Sequence, residues 1–157
     1  MISMISSVGK NRELGKKNNL IWHFKEDMKF FKDTTMDHTV IMGLNTYNSL
    51  PGDLPGRHII VVSFVPVDGV EYVNDIESIL ERYENSEEEV FICGGASIYK
   101  QFLPHANKLY LTEIDAEDDE ADTFFPEFDK SEWNRTEISE YMQDGISFKM
   151  YLYEKIM

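Results

Sequence analysis

Asp27 is the residue of this sequence best placed to do chemistry. If the stretch Leu20 to Phe31 is helical from about Phe24, then Phe24, Asp27, Phe30 and Phe31 fall at i−3, i, i+3 and i+4. One carboxylate then shares a stripe with three aromatic rings. Burial raises the pKa of such an acid and a nearby helix N-terminus lowers it, so the pattern alone leaves its net value open. The ordinary alternative is an acid at the edge of the stripe whose oxygens reach water. Arg57 offers a fork matched to a carboxylate, although an Arg just outside a strand is usually a solvated end. Gly43 and the pair Gly94-Gly95 each follow a short apolar run and precede a helical one, an arrangement in which backbone N–H groups meet an anion. The glycine pair is the stronger signal because it permits close backbone approach. It is not G-x-G-x-x-G, so any dinucleotide site must be built differently from a standard Rossmann site.

These residues need elements to hold them. Ile2 to Val8 is apolar with serines and reads as a central strand buried on both faces. Gly9 to Asn19, with Gly9, Asn11, Gly15, Asn18 and Asn19, reads as a polar loop long enough to be a lid. The Asp27 helix runs to about Thr34, a strand covers Thr39 to Met42, and one or two helical turns cover Asn45 to Leu50. The turn-rich run Pro51 to Gly56 delivers Arg57 to a strand from Ile59 to Ser63, followed by a short strand from Glu71 to Val73. Asn74 or Asp75 caps a helix with the stripe Ile76, Ile79, Leu80 and Tyr83. Glu89 to Cys93 and Lys108 to Ile114 are strands on either side of a helix from about Ala96 to Leu103. Trp133 to Tyr141 and Ile146 to Glu154 form a terminal antiparallel hairpin through Gln143-Asp144-Gly145. Strands alternating with helices and then a hairpin predict an α/β fold: one domain over 1–157, a central mostly parallel twisted sheet of about eight strands, and about four flanking helices.

Composition narrows the function. A chain of 157 residues, 42% hydrophobic and 28% charged, is an ordinary globular domain that buries about two-thirds of its unfolded surface. No apolar run approaches a membrane span, and the expected setting is soluble and cytoplasmic. Cys93 is the only cysteine, which excludes an internal disulfide and a multi-cysteine metal site. A formal charge of −14 repels phosphate backbones, and Lys10, Arg12, Lys16 and Lys17 make only a small basic cluster, so no nucleic-acid partner is expected. Asp115 to Asp122 holds six acids in eight residues, but Glu120 stands where a calcium loop needs glycine and Pro126 where it closes. It reads as a solvated acidic loop, and no metal site is expected.

Taken together, several fragments resemble dihydrofolate reductase over essentially the whole chain. They are Met-Ile-Ser-Met-Ile at the start, Trp22 with Asp27 five residues on, Val40-Ile41-Met42-Gly43 with Thr46, Leu54-Pro55-Gly56-Arg57, Gly94-Gly95 with Ile98-Tyr99, Leu109 to Asp115, and Asp122 to Pro126. Their order and spacing make the resemblance specific. It implies NADPH-dependent reduction of 7,8-dihydrofolate to tetrahydrofolate, with folate-analogue inhibitors as further ligands and a monomeric enzyme. Asp27 would accept the two-donor edge of the pterin, Thr112 would orient Asp27 and a water, and Trp22 would complete the catalytic group. Ile5, Met28, Phe31, Leu50 and Leu54 would wall the substrate pocket, and Arg57 would pair with its glutamate carboxylate. The cofactor would meet Ser7 through its backbone, Leu14, Gly43, Leu44, Asn45, Thr46, Ser63, Phe64, Cys93, a cis Gly94-Gly95 peptide, Ala96, Ser97, Ile98, Tyr99 and Gln101. Gly9 to Leu20 would be the lid.

The sequence departs from the family where the adenosine 2′-phosphate should bind. Members usually carry an Arg after the strand-ending glycine, a Ser or Arg after the Ser ending the next strand, and often a basic residue after the glycine pair. Here those positions hold Leu44, Phe64 and Ser97. Ser63, His58, Lys100 and Gln101 are the residues left to compensate, and the expected preference for NADPH over NADH is weaker than the family norm. Ile21 replaces the usual Pro before Trp22, and Ala121 the usual Gly before Asp122, both in lid-related segments. Two rivals remain: the related pyrimidine reductase of riboflavin synthesis, which gives no reason for Asp27 with Trp22 and Arg57, and a noncatalytic pterin- or nucleotide-binding module.

Overall fold

Strand β1, Ile2–Val8, is covered on both faces, and its two faces serve different ends. The computed structural model describes residues 1–157 except Asn18, Pro51 and Asp53, so one lid residue and two of the residues expected in the turn before Arg57 lie outside the described residues. In chain order β1 is followed by β2 (Glu13–Lys16), β3 (Asn19–Leu20), α1 (Lys25–Thr35), β4 (Thr39–Gly43), α2 (Leu44–Asn48), β5 (His58–Val62) and β6 (Glu71–Val73). Then come α3 (Glu77–Tyr83), β7 (Val90–Ile92), α4 (Ala96–Phe102), β8 (Lys108–Ile114), β9 (Thr123–Phe124), β10 (Trp133–Gln143) and β11 (Ile146–Lys155). The eight-stranded sheet has the order β10-β11-β8-β1-β7-β4-β5-β6. Every pairing from β8 to β6 is parallel, and β11 and β10 add antiparallel strands at the β8 edge. The expected α/β architecture is the observed one. No helix among the described residues is long and apolar enough to cross a membrane.

Period-two alternation sorts the side chains of the central strands. Ile2, Met4 and Val8 of β1 join Ile41, Ile92, Leu109 and Leu111 in a core closed by Ile79 of α3 and Ile98 and Phe102 of α4. Ile5, Val40, Met42 and Phe91 face the other way, against Phe30 and Phe31 of α1. Ser7 therefore shares the α1 side with Ile5, and Thr112 shares it with Tyr110. Phe24 lies just before α1 and stacks on Phe148 of β11 at 4.5 Å between ring centroids, which fixes where α1 begins.

Two expectations change, and β11 adds a detail that the hairpin pattern leaves open. The polar loop after β1 is partly strand: β2 pairs with β3 and with β9 in a separate three-stranded sheet. Its partner β9 comes more than a hundred residues later, so local pattern carries no sign of the pairing. The acidic loop is not merely solvated, because it packs on this small sheet. In β11, Phe148 and Met150 are buried on one side and Tyr153 in the opposite core, since the strand lies inside the sheet with both faces covered.

Candidate active site

Asp27 sits in the first turn of α1, half-buried, over the carboxyl-terminal ends of β1 and β8. Thr112 Oγ1 donates to Asp27 Oδ1 at 2.6 Å, and Ser7 Oγ donates to Oδ2. Ser7 and Thr112 are direct partners in the β1–β8 ladder, so two hydroxyls side by side hold the two oxygens of one carboxylate. Burial raises the Asp27 carboxyl above its ordinary value, and the two hydroxyl donors pull it back down.

Around this acid the expected pocket residues gather unevenly. Ile5 is buried, and Phe31, Leu50 and Leu54 pack half-buried against the same apolar cluster. Met28 is 59% exposed and lies outside that buried wall, because adjacent helical residues do not share a face. A cleft of about 670 Å³ is lined by Tyr47, Leu50, Leu54 and Arg57 among others. Arg57 is partly held, with Nε donating to the Pro55 carbonyl at 3.1 Å and Nη1 to Thr35 Oγ1 at 3.4 Å. A second cleft, about 1080 Å³, runs along Lys10, Arg12 and Phe128 and contains none of the residues expected at either ligand. Trp22 is half-buried beside Phe24, Ile114 and Phe148.

The two strand–glycine–helix junctions are in contact because β4 and β7 are neighbours. The Gly43 N–H donates to the Gly94 carbonyl at 2.9 Å, and the Gly94-Gly95 peptide is cis. A Cβ on Gly94 would come within 3.4 Å of the Tyr99 ring, one on Gly95 within 3.4 Å of Thr46 Oγ1, and Gly94 has a positive φ of 109°. Both Cβ positions would be at ordinary van der Waals distance, so it is the positive φ of Gly94 that requires glycine, and the bare pair leaves its backbone open to close approach. Tyr99, buried, donates its hydroxyl to the Ile5 carbonyl at 2.6 Å, and burial pushes its phenol up, keeping it a donor. Cys93 follows β7; burial pushes its thiol up to about 12, so it is an inert apolar residue there. Ile98 is buried, Ala96 half-buried, Asn45 and Gln101 exposed, and Leu14, on β2 within the lid, is buried against the main core.

The adenosine end looks different. Leu44 is half-buried, Ser97 is exposed, and Phe64 is 93% exposed. Ser63 is buried, and its hydroxyl is occupied by the carbonyl and N–H of Val65. His58 lies at the opposite end of β5 from Val62, with its Nε2 on Glu71 at 2.7 Å. Gln101 turns its amide back to Ser97.

Sequence reasoning missed two features of the site. The Ser7 hydroxyl is not legible because a strand buried on both faces gives no indication of which side a serine takes; a pair of serines near the carboxyl end of a central strand is the available signal. The basic cluster and the acidic loop are separate runs in the sequence, whereas in the fold Lys10 pairs with Asp115 at 3.1 Å and Lys16 with Asp118 at 3.0 Å. The Lys17 N–H also reaches Asp122 Oδ2 at 2.9 Å, and the Asp122 N–H reaches the Gly15 carbonyl at 3.0 Å. Lid and acidic loop are one docked unit.

The chain is similar to proteins already known. A family model described as dihydrofolate reductase matches residues 1–155. Dihydrofolate reductase HdrB of Haloferax volcanii is 39% identical, covering 94% of this chain and 81% of its own. The Bacillus subtilis dihydrofolate reductase is 37% identical, covering 99% and 95%. Among solved structures, the dihydrofolate reductase from Enterococcus faecalis complexed with NADP(H) and RAB-propyl superposes with a TM-score of 0.88 at 30% identity, covering 99% of this chain and 96% of that one. A whole-chain family match, two relatives well above 30% identity and a shared fold together mean that this chain belongs to the dihydrofolate reductase family.

Proposed function

We propose that residues 1–157 act as a single dihydrofolate reductase domain that reduces 7,8-dihydrofolate to 5,6,7,8-tetrahydrofolate with NADPH, and that Asp27 anchors the pterin. The observation that carries the assignment is the Asp27 carboxylate, set in an apolar pocket with one hydroxyl donor on each oxygen. Each oxygen keeps a lone pair for the pterin's 2-amino group and adjacent ring N–H, a parallel two-donor edge. Ile5, Phe31, Leu50 and Leu54 wall the ring and aminobenzoyl group, Met28 lies nearer the mouth, and Arg57 pairs with the glutamate carboxylate. Folate-analogue inhibitors use the same contacts.

The glycine cradle fits a cofactor that needs close backbone approach, and Gly43, Asn45, Thr46, Gly94, Gly95, Ala96, Ser97, Ile98 and Gln101 would hold its phosphates and ribose. Ser7, Leu14, Cys93 and Tyr99 would border the nicotinamide, and Leu44, Ser63 and Phe64 the adenosine. When bound, reduced nicotinamide supplies the hydride that ends on pterin C6. The protein aligns the two rings, and the docked lid with Trp22 excludes bulk water. Asp27 faces the pterin edge opposite N5; as an anion it raises the proton affinity of the bound ring, while water delivers the proton to N5. The enzyme is proposed to work as a cytoplasmic monomer with no nucleic-acid partner.

The test is absorbance at 340 nm, about where reduced nicotinamide absorbs, with dihydrofolate and NADPH mixed and the assay repeated with NADH. Steady loss is expected with dihydrofolate. Binding of both ligands without loss would make the chain a noncatalytic module, and loss only with a ribosylated pyrimidine would make it the riboflavin-pathway reductase.

A further inference from the structure

Ser7 contributes its main chain to strand β1 and its side chain to Asp27. The β1–β8 ladder sets it opposite Thr112, and both hydroxyls donate into the same carboxylate, one to each oxygen. One donor on one oxygen leaves a carboxylate free to swing about its Cβ–Cγ bond. Two donors anchored on adjacent strands of a rigid sheet fix the plane of the group as well as its position. That plane matters because the pterin edge presents two parallel donors, and a rotated carboxylate satisfies only one of them.

We propose that Ser7 is a positioning residue for Asp27, its hydroxyl holding the second carboxylate oxygen in the plane and ionised form that the pterin edge requires. The inference rests on the reading of Asp27 as the pterin anchor. It gives Ser7 two roles in one residue, because its main chain is assigned to the nicotinamide while its hydroxyl serves the substrate acid. The groups facing Asp27 from the packed elements are these two hydroxyls, neither of which titrates in the working range. The nearest acid on β8, Glu113, takes the Tyr153 hydroxyl and lies 3.9 Å from Arg135. Lys25 and Glu26 on α1 and the exposed His23 before it are sequence neighbours, and none of them is a cause of the Asp27 shift. The contact therefore acts on Asp27 without a competing charge.

The experiment follows the Asp27 carboxyl carbon by NMR in the ligand-free protein, assigned with Asp27→Asn, in wild type, Ser7→Ala, Ser7→Cys and Ser7→Thr. A donor to a charged group is worth enough that its loss should raise the Asp27 midpoint by about one pH unit in Ser7→Ala. Ser7→Cys, nearly the same volume with a weak donor, should follow it, and Ser7→Thr, which keeps the hydroxyl, should stay near wild type. The acid limb of the pH profile of kcat/KM for dihydrofolate should move upward by the same amount in the same variants. An unchanged midpoint in Ser7→Ala, or in Ser7→Cys if the alanine variant does not fold, overturns the role of Ser7. Equal shifts in Ser7→Thr and Ser7→Ala overturn it too, because they assign the effect to packing. Absence of dihydrofolate reduction by wild type is a separate result: it overturns the proposed function, whatever the titration shows.

Discussion

Glu13 and Asp118 are 105 residues apart in the chain, and Glu13 Oε2 accepts the Asp118 backbone N–H at 2.8 Å. The other oxygen of Glu13 accepts the Asn11 N–H at 2.7 Å, and the side chain is buried, with 2% of its surface exposed. Among the described residues this carboxylate has no cationic partner; backbone N–H groups satisfy it from both sides. Gly9 makes the room, since a Cβ there would lie 2.5 Å from Glu13 Oε1 and 2.7 Å from the Trp22 ring. Glu13 is therefore the buried latch between lid and acidic loop, beneath the exposed lysine–acid pairs.

Glu13→Gln keeps the volume but puts an NH2 against one of the two N–H donors. Hydrogen bonds to charged groups contribute about 1.5–3 kcal/mol, so the variant should lose about 2 kcal/mol of stability and about 4–8 °C in Tm for a chain of this size. Hydrogen exchange should accelerate at the Asn11 and Asp118 amides before it does so in β1. Unchanged exchange at both amides would show that the latch contributes nothing.

What could be read from the sequence, and what could not, follows from how far each contact reaches. Asp27 among Phe24, Phe30 and Phe31 is a local helical pattern, and strands such as Lys108–Ile114 are single apolar segments with the period of a strand. The sheet containing Glu13 joins β2 to β9, and Ser7 meets Asp27 only once β1 is set in register with β8 and covered by α1. Registers of that kind are decided by the whole sheet. Glu13 itself stands in a polar run where a charged residue reads as solvated; Asn11 donates to it locally, but its second donor comes from the later loop.

Asp27 gives a prediction in which function and stability oppose each other. Its carboxyl titrates higher in the folded chain than its ordinary value of 3.8 because burial outweighs its two hydroxyl donors. Between the unfolded and folded values the native state holds more protons. The stability present below the lower value is therefore lost as pH rises through the higher one. Asp27→Asn should be more stable than wild type at neutral pH, with the advantage vanishing as the pH falls below about 4. The same variant should slow hydride transfer at least about a hundredfold near neutral pH, because no anion raises the proton affinity of the ring. Urea titrations across pH and single-turnover rates check the two halves, and an unchanged transfer rate would refute the role given to Asp27.

Arg57 is held through Pro55 and Thr35, which leaves part of its fork for a ligand. Arg57→Ala should raise KM for dihydrofolate about ten- to a hundredfold, in line with roughly 1.5–3 kcal/mol for a charge-assisted pair, with much less change in kcat. A reduced pterin lacking the glutamate should be handled equally by both proteins. Equal sensitivity of the two substrates would mean that Arg57 acts through the fold.

The cofactor preference turns on Leu44 and Phe64. A 2′-phosphate carries nearly two negative charges and needs fixed donors. The sequence positions where the family usually supplies them hold an aliphatic residue, an exposed aromatic ring and Ser97, whose hydroxyl receives the Gln101 amide. The residues left to compensate are mostly engaged elsewhere: Ser63 within its own turn, His58 with Glu71 at the far end of β5, and Gln101 on α4. Among the described residues nothing engages Lys100, exposed on α4, in this way. The overall charge of −14 adds a field that works against the extra phosphate. The ratio of kcat/KM for NADPH over NADH should therefore fall below about a thousandfold, or about 4 kcal/mol of discrimination. Leu44→Arg should raise that ratio about tenfold or more while leaving the NADH value within about a factor of three, because the added fork acts only where the phosphate is present. A wild-type ratio above a thousandfold would refute the weakened preference and point to Lys100, the compensating residue with no such engagement, as the donor that holds the phosphate; Lys100→Gln would then collapse the ratio.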